Sequence, residues 1–460
     1  MARAATVFAC QSCGATSPKW LGRCPECGEW NSFVEEARAS RPASVAALPA
    51  RKAEPLGDVD ARERPRLATT MPGLDRVLGG GLVPGAVVLL GGEPGIGKST
   101  LLLQAGRGIA ESGGLVLYAT AEESASQVRL RAERLRARSD RLLVLAEGDV
   151  AAIAAEAGER SPALLIVDSI QAVRESGLTS GAGTVSQVRE CAARLAAWAK
   201  AVEAPAILIG HVTKDGSLAG PKSLEHMVDV VVSLEGDRAS SRRILRAAKN
   251  RFGTVDELAL YEMGGEGLEE IANPSAALLE GRRAGVPGSA VTAAREGSRS
   301  LLLEIQALVG PAAAGSPRRV AIGVDGSRLS LLLAVLENAG LALSSREVFV
   351  SCTGGLEVSE PAADLAIVAA LASSARGRTL PADAVFFGEI GLLGEIRRVP
   401  AASGRLREAS AMGFASAYLP AGNAGDAAGV DGVDARPVGR VEEFLERIGM
   451  RPAGSGRPAG

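Results

Sequence analysis

The chain has 460 residues, of which 47% are hydrophobic, 23% are charged and 3% are aromatic. This length usually requires more than one core and this composition is typical of folded proteins, so two large domains plus a smaller module are expected rather than disorder. The net charge of -2 excludes a globally basic surface. Any surface for nucleic acid therefore has to be local and to rely on phosphate contacts more than on aromatic stacking.

No segment of the sequence is predicted to cross a membrane. The uncharged run at residues 77–92 is interrupted by glycines and a proline and is too short to span a bilayer as a helix. The N-terminus lacks the long apolar core of a secretory signal and leads directly into a cysteine motif. A cytoplasmic protein without membrane contact is therefore expected.

Two cysteine pairs, each enclosing two residues, define a module over residues 1–37. Ten residues separate the pairs, whose members are Cys10, Cys13, Cys24 and Cys27. Four thiolates in two tight turns suit tetrahedral Zn²⁺. Because disulfides are rare in cytosolic chains and the module is too small for a core of its own, binding of Zn²⁺ is expected to fold it.

Four other aromatic or sulfur side chains need an interpretation. Trp20 and Trp30 flank the second cysteine pair, where they either contact bases or cover the small metal core. Cys191 and Cys352 are isolated in the sequence and are interpreted as buried apolar side chains.

The rest of the chain is predicted to be α/β. Residues 38–66, rich in Ala, Pro and Arg, form a predicted linker. Residues 67–268 alternate apolar runs with amphipathic stretches, which predicts buried parallel strands connected by helices. The predicted strands are residues 86–90, 115–118, 142–145, 164–167 and 206–209. A glycine cluster marks the transition to a second α/β domain over residues 269–450, and residues 451–460 form a predicted disordered tail.

A glycine-rich segment, GEPGIGKS at residues 92–99, follows the first predicted strand and precedes an amphipathic helix over residues 100–110. This order of strand, loop and helix distinguishes a phosphate-binding loop from a chance glycine-rich turn. In such a loop, backbone N–H groups wrap the phosphates at a helix N-terminus, Lys98 reaches the β and γ phosphates, and Ser99 binds Mg²⁺. The predicted ATP-binding residues are Gly92, Glu93, Pro94, Gly95, Ile96, Gly97, Lys98, Ser99 and Thr100.

Hydrolysis of ATP also requires acidic side chains beside this loop. Asp168 ends an apolar strand, where parallel sheets place their ligands, and is predicted to bind Mg²⁺; the alternative is a cap of the next helix. Glu122 and Glu123 follow another predicted strand, where either orients and activates water or is a solvated charge at a helix start. His211 follows the last predicted strand, as a sensor of the γ phosphate or as a structural histidine.

Lys249 and Arg251 form a basic pair followed by Phe and Gly. Two interpretations stay open from the residues alone. The pair either presents two cations at a subunit edge or is a solvated strand end.

Seven segments, in the same order along nearly the whole chain, resemble the bacterial RadA (Sms) family of DNA repair proteins. They are KWLGRCPEC (19–27), GEPGIGKS (92–99), HVTKDGSLAGP (211–221), KNRFG (249–253), EIQAL (304–308), SEPAADL (359–365) and GEIGL (388–392). The resemblance implies a zinc finger, a RecA-like ATPase core and a C-terminal domain similar to the proteolytic domain of Lon, assembled as a hexameric ring. It also implies ATP-driven branch migration on single-stranded and branched DNA, together with the RecA recombinase.

The resemblance also assigns roles to residues. The stretch TAEES is similar to the family's Gly-Glu-Glu-Ser, with Ala121 in place of the glycine, which gives Glu122 the catalytic role. His211 falls where RecA-like proteins carry their nucleotide sensor. Lys249 and Arg251 would reach the ATP of the neighbouring subunit and neutralise charge in the transition state. The residues in a loop where RecA-like proteins hold DNA, which would contact its phosphates, are Lys214 and Lys222.

The C-terminal domain departs from the peptidases that it resembles. Peptide cleavage there requires a serine nucleophile activated by a lysine. The serine's place in the Gly-Pro-Ser-Ala-Gly motif is taken by Ala362, and residues 401–450 contain no lysine. We interpret the domain as a ring-forming, DNA-binding scaffold. Ser327 stands where the RadA family has an asparagine.

Three functions are therefore compared. The first is a DNA-stimulated ATPase that drives branch migration. The second is an ATP-dependent protease or unfoldase that uses the Lon-like domain, which rests on fold analogy alone. The third is an ATPase scaffold that does not act as a motor.

Overall fold

The computed structural model describes residues 6–10, 14–37, 55, 65–178, 180–210, 223–236, 241–297, 299–312 and 317–450. The chain divides into two compact units, Met1–Glu270 and Ile271–Gly460. Most of the predicted linker and the whole predicted tail lie outside the described residues. Within the described ranges, no helix has the length and apolar character that crossing a membrane requires.

The first unit begins with a small antiparallel sheet in the order β2-β1-β3. Its strands are β1 Thr6–Cys10, β2 Thr16–Ser17 and β3 Phe33–Ala37. The buried hydrophobic cluster of this module consists of Cys10, Cys24 and Phe33. Among the described residues of the module, three hydrophobic side chains form a very small core, in line with a module that needs a metal to fold.

The main sheet of the first unit has nine strands in the order β12-β11-β10-β9-β4-β8-β7-β5-β6. These are β4 Val87–Gly91, β5 Val116–Thr120, β6 Leu142–Ala146, β7 Leu164–Asp168, β8 Ala206–Ile209, β9 Val230–Glu235, β10 Arg242–Asn250, β11 Leu258–Gly264 and β12 Gly267–Glu270. Strands β4 to β9 pair in parallel, whereas β9 to β12 pair antiparallel.

All five predicted strands of the ATPase region are present, with bounds that differ by two residues at most. Residues 142–145 form the predicted strand, but the prediction that it is buried is wrong, because β6 is an edge strand and its side chains are half-buried or exposed. The predicted helix at 100–110 begins earlier, at Lys98, since the glycine-rich loop turns directly into it.

Helices cover both faces of this sheet. They are α1 Pro72–Val77, α2 Lys98–Glu111, α3 Ala125–Arg134, α4 Val150–Arg160, α5 Val185–Val202 and α6 Ser223–Met227. Alternate residues of one strand belong to different cores: Val88 and Leu90 pack with α2, while Val87 and Leu89 pack with α4 and α5. A strand buried on both faces therefore reads as a continuous apolar run.

The second unit contains a mixed seven-stranded sheet in the order β15-β16-β14-β13-β17-β20-β21. Its strands are β13 Ser289–Glu296, β14 Arg299–Pro311, β15 Arg319–Ile322, β16 Arg346–Cys352, β17 Ala384–Phe386, β20 Ser416–Pro420 and β21 Asp434–Val438, and β18 Glu389–Ile390 with β19 Ile396–Arg397 form a separate hairpin. Its helices are α7 Pro274–Leu278, α8 Gly326–Asn338, α9 Asp364–Arg376, α10 Ala402–Ala411 and α11 Val441–Arg447. The α/β class predicted for both large parts of the chain is confirmed.

Candidate functional site

The glycine-rich loop connects β4 to α2 at the carboxyl edge of the main sheet. A Cβ on Gly92 would lie 2.6 Å from the carbonyl oxygen of Leu234. Gly97 has φ +118, and a Cβ there would lie 2.5 Å from Cε of Met263. Both positions therefore require glycine, and the loop can keep its N–H groups directed at an anion above the start of α2.

Lys98 is the first residue of α2 and only 4% exposed. Its Nζ donates hydrogen bonds to the carbonyl oxygens of Gly92 at 2.7 Å and Glu93 at 2.9 Å. Burial lowers the pKa of Lys98 to about 8, although the charges of Asp168 and Glu122 oppose this shift. A triphosphate would supply anionic oxygens in place of the carbonyls, which favours the charged ammonium.

Arg243, on β10, supports the same loop and was not among the predicted site residues. It is 7% exposed, and its Nε donates to the carbonyl oxygen of Ile96 at 3.0 Å. Its Nη1 donates to the carbonyl oxygen of Arg242 at 2.7 Å. No motif identifies this residue, because only the pairing of β10 with β9 brings it beside the loop.

Ser99 and Asp168, the predicted Mg²⁺ ligands, meet at the carboxyl edge. Asp168 is the last residue of β7 and 8% exposed. The buried hydroxyl of Tyr118 donates to Oδ2 of Asp168 and adjoins the side chain of Ser99. The interpretation of Asp168 as a helix cap is wrong, since the next helix starts only at Val185.

The structure separates the two candidate glutamates. The hydroxyl of Ser169 donates to Oε1 of Glu122, which places this carboxylate beside Asp168. Glu123 is instead paired with Nη2 of Arg131 at 2.5 Å. Neither is a charge in the first turn of α3, because that helix begins at Ala125. Of the two, only Glu122 adjoins the strand end that carries Asp168.

Lys249 and Arg251 lie toward the amino ends of the parallel strands, opposite to the carboxyl ends that carry the phosphate-binding loop. The strand β10 runs antiparallel to β9, so Lys249 is level with Val231, whereas the loop follows the other end of β4. The Nζ of Lys249 donates to the carbonyl oxygens of Glu225 and Val228 at 2.6 and 2.8 Å. Burial and the neighbouring guanidinium lower its pKa. The pair therefore cannot reach the phosphate-binding loop of its own chain.

Arg251 also has a defined partner. Its Nη1 lies 3.1 Å from Oδ1 of Asp229, and Oδ2 of this carboxylate accepts the N–H of Val87 at 3.0 Å. The Arg251 side chain is still 53% exposed. The interpretation of the basic pair as a simple solvated strand end is therefore incomplete, because both cations are oriented by hydrogen bonds.

Three of the four predicted zinc ligands lie together. The Sγ atoms of Cys10, Cys24 and Cys27 all lie within 4.8 Å of one another. Such a cluster of cysteine Sγ atoms matches the donor set that Zn²⁺ prefers. The fourth predicted ligand, Cys13, lies outside the described residues, as do His211, Lys214 and Lys222.

The two tryptophans of the cysteine module and the two isolated cysteines differ in burial. Trp20 and Trp30 are 52% and 67% exposed, and both interpretations of these residues remain predictions. The Nε1 of Trp20 donates to the carbonyl oxygen of Phe33 at 3.1 Å. Cys191 and Cys352 are buried as predicted, and burial raises the pKa of each thiol to about 12.

Comparisons with known proteins give the families and relatives that this chain is similar to. Residues 50–217 match the AAA domain model, and residues 8–35 match the model of a rubredoxin metal binding domain. A DNA repair protein RadA of Bacillus subtilis is 47% identical over 453 residues, 97% of this chain and 99% of that protein. The RadA of Pseudomonas aeruginosa is 46% identical over 97% of this chain and its full length. A solved structure of the RadB recombinase aligns with 45% of this chain and 99% of its own, at 23% identity and a TM-score of 0.36.

The α/β sheet, the glycine loop and the carboxylates at its edge define a P-loop ATPase domain that follows a zinc ribbon. The glycines of the loop leave room for phosphates, and its serine and the nearby carboxylate suit Mg²⁺, so ATP and Mg²⁺ are the cofactors of this domain. The cluster of cysteine Sγ atoms makes Zn²⁺ the third cofactor. At this identity over nearly the full length, the chain belongs to the RadA family of DNA repair proteins.

Proposed function

We propose that this protein is a DNA-dependent ATPase that drives branch migration of recombination intermediates, acting with the RecA recombinase. The main support for the proposal is the separation between the phosphate-binding loop and the basic pair of Lys249 and Arg251. The phosphate-binding loop lies at one edge of the main sheet, and the basic pair lies at the other. Such a site is completed only when chains stack against one another.

Within one chain, each side chain at the loop has a distinct task. Ser99 and Asp168 would hold Mg²⁺, which would supply positive charge to the phosphates of the nucleotide. Lys98 stabilises negative charge on the same oxygens. Glu122 orients the attacking water and accepts its proton. The sheet edge thus collects the groups for phosphoryl transfer to water.

We infer that Lys249 and Arg251 act on the ATP of the neighbouring subunit in a homo-oligomeric, hexameric ring. Contacts of this kind join two different surfaces, and such heterologous contacts form rings when their rotation closes. The half-exposed guanidinium of Arg251, held by Asp229, is pre-oriented for a neighbour. A cation supplied this way stabilises charge in the transition state.

An Arg251→Ala variant tests this inference. Its ATPase rate is expected to fall by about 10³-fold or more, because the missing cation acts only in the transition state. Mixed with a Lys98→Ala variant, it should regain part of the activity, since some interfaces then combine an intact loop with an intact basic pair. Each variant alone is the control. Absence of any recovery in rings shown to contain both chains would place the basic pair outside the reaction.

The DNA part of the proposal is tested by hydrolysis and by strand exchange. Single-stranded DNA should raise the ATPase rate of the wild-type chain, and the rise should weaken as salt is added, because phosphate contacts release counterions. On a three-strand recombination intermediate, the protein should displace the expected strand only with ATP, and faster when RecA is present. An ATPase rate that ignores DNA would instead support the scaffold without motor action.

We also propose that the second unit is a Lon-like domain without peptidase activity. Ala362 is buried in the turn before α9 and carries only a methyl group. The sequence contains no lysine after Lys249. Arg405 is fully buried, and its Nη1 and Nη2 each lie 2.7 Å from the carboxylate of Glu360. A guanidinium stays protonated and cannot act as the general base, so the protease alternative has no catalytic pair.

A further inference from the structure

Tyr118 is a buried tyrosine that no motif assigns to the reaction. It lies on β5 next to β7, directly opposite Ile166, while Thr120 is opposite Asp168. Its side chain is completely buried in the core that α2 covers. From there the ring extends toward the carboxyl edge, where its hydroxyl reaches the end of β7.

The Tyr118 hydroxyl lies beside both predicted Mg²⁺ ligands. It donates a hydrogen bond to Oδ2 of Asp168 and adjoins the side chain of Ser99. These residues belong to different elements, since Asp168 ends β7 and Ser99 lies in the first turn of α2. A single phenol therefore links the strand to the phosphate-binding helix at the point where the metal is expected.

The link has a physical consequence for the carboxylate. A hydrogen bond to Oδ2 fixes the rotation of the Asp168 carboxylate and so the direction of its other oxygen. A phenol is protonated at neutral pH, so the buried hydroxyl of Tyr118 remains a donor to this carboxylate. Groups that orient metal ligands in this way contribute to metal affinity without touching the metal.

We propose that Tyr118 is a positioning residue that holds Ser99 and Asp168 in the arrangement that binds the Mg²⁺ of the nucleotide. The proposal rests on the ATPase function proposed above. It predicts that Tyr118 contributes to the part of nucleotide affinity that depends on the metal, and not to the part that depends on the loop alone.

Tyr118→Phe in the full-length chain isolates this contribution, because it removes one oxygen and keeps the buried ring. ADP binding is measured by calorimetry in EDTA and across a Mg²⁺ titration. In EDTA, the variant should bind ADP within about twofold of the wild type. The Mg²⁺ concentration at half-maximal binding should rise by about 10- to 100-fold, the usual effect of losing a group that orients a metal ligand. Mn²⁺ bound with ADP, followed by electron paramagnetic resonance, should show the same shift.

Tyr261→Phe is the matched control. Tyr261 is equally buried in the same unit, on β11, and its hydroxyl environment involves Glu270 and Arg76 rather than the phosphate-binding loop. Its variant should keep the wild-type Mg²⁺ dependence. Equal losses of ADP affinity for Tyr118→Phe in EDTA and in Mg²⁺ would show a role in packing alone and overturn the proposal. An unchanged Mg²⁺ midpoint would overturn it as well.

Different results would contradict the proposed ATPase function and the proposed role of Tyr118. If wild-type protein bound no ADP with or without Mg²⁺, the ATPase function itself would be wrong. If the wild type gained affinity with Mg²⁺ and Tyr118→Phe gained as much, only the role of Tyr118 would be lost. The melting temperature of each variant, measured without nucleotide, separates either result from misfolding.

Discussion

Replacing Lys98 with alanine is expected to reduce ATP turnover by at least about 10²- to 10³-fold, the usual effect of losing one group that stabilises charge in the transition state. The ammonium is held by two carbonyl oxygens of its own loop, directly above the start of α2. A methyl group at this position cannot stabilise the negative charge that develops on the γ phosphate. Steady-state hydrolysis of ATP in Mg²⁺ buffer measures the effect.

The fold should survive the Lys98→Ala change, because the variant removes a cation that is costly to bury and whose pKa burial already lowers. Lys200→Ala is the control, since Lys200 is an exposed lysine of the same unit on α5. The control should hydrolyse ATP at the wild-type rate. Turnover that persists in a folded Lys98→Ala variant would show that hydrolysis occurs elsewhere.

Glu122→Gln should lower turnover by about 10²- to 10⁴-fold, because an amide cannot accept the proton of the attacking water. Nucleotide binding should be retained, since the amide oxygen still accepts the hydrogen bond of Ser169 and the phosphate-binding loop is unchanged. A single-turnover experiment measures hydrolysis apart from binding. The expected signature is tight binding of ATP without release of phosphate.

Glu123→Gln is the matched variant for this prediction. Glu123 is engaged by Arg131 away from the strand end, so its loss should change turnover within about fivefold, the scale of a partly exposed ion pair. The reverse result, with Glu123→Gln inactive and Glu122→Gln active, would exchange the roles of the two residues. The spacing along the sequence leaves these residues equivalent, and the contacts of each side chain separate them.

Local patterns in the sequence were sufficient to predict the glycine-rich loop between β4 and α2 and the cysteine module. GEPGIGKS lies directly between the strand and the helix that it joins, so one short segment is enough to predict where the loop lies and which helix follows it. The paired cysteines similarly encode a small metal site through short turns. The apolar runs located the parallel strands because both faces of each central strand are buried. The burial of the edge strand β6 was overestimated, because an apolar run does not show which strand lies at the edge of a sheet.

The sequence by itself determined the elements whose chemistry is local: the phosphate-binding loop, the acidic strand end at Asp168 and the cysteine pairs. Only the tertiary structure decided which distant side chains join them. The antiparallel pairing of β10 with β9 brings Arg243 to the loop and carries Lys249 to the far edge. The pairing of β5 with β7 brings Tyr118 to Asp168. Strand order and register depend on the packing of the whole core, so no short segment of the chain specifies these contacts.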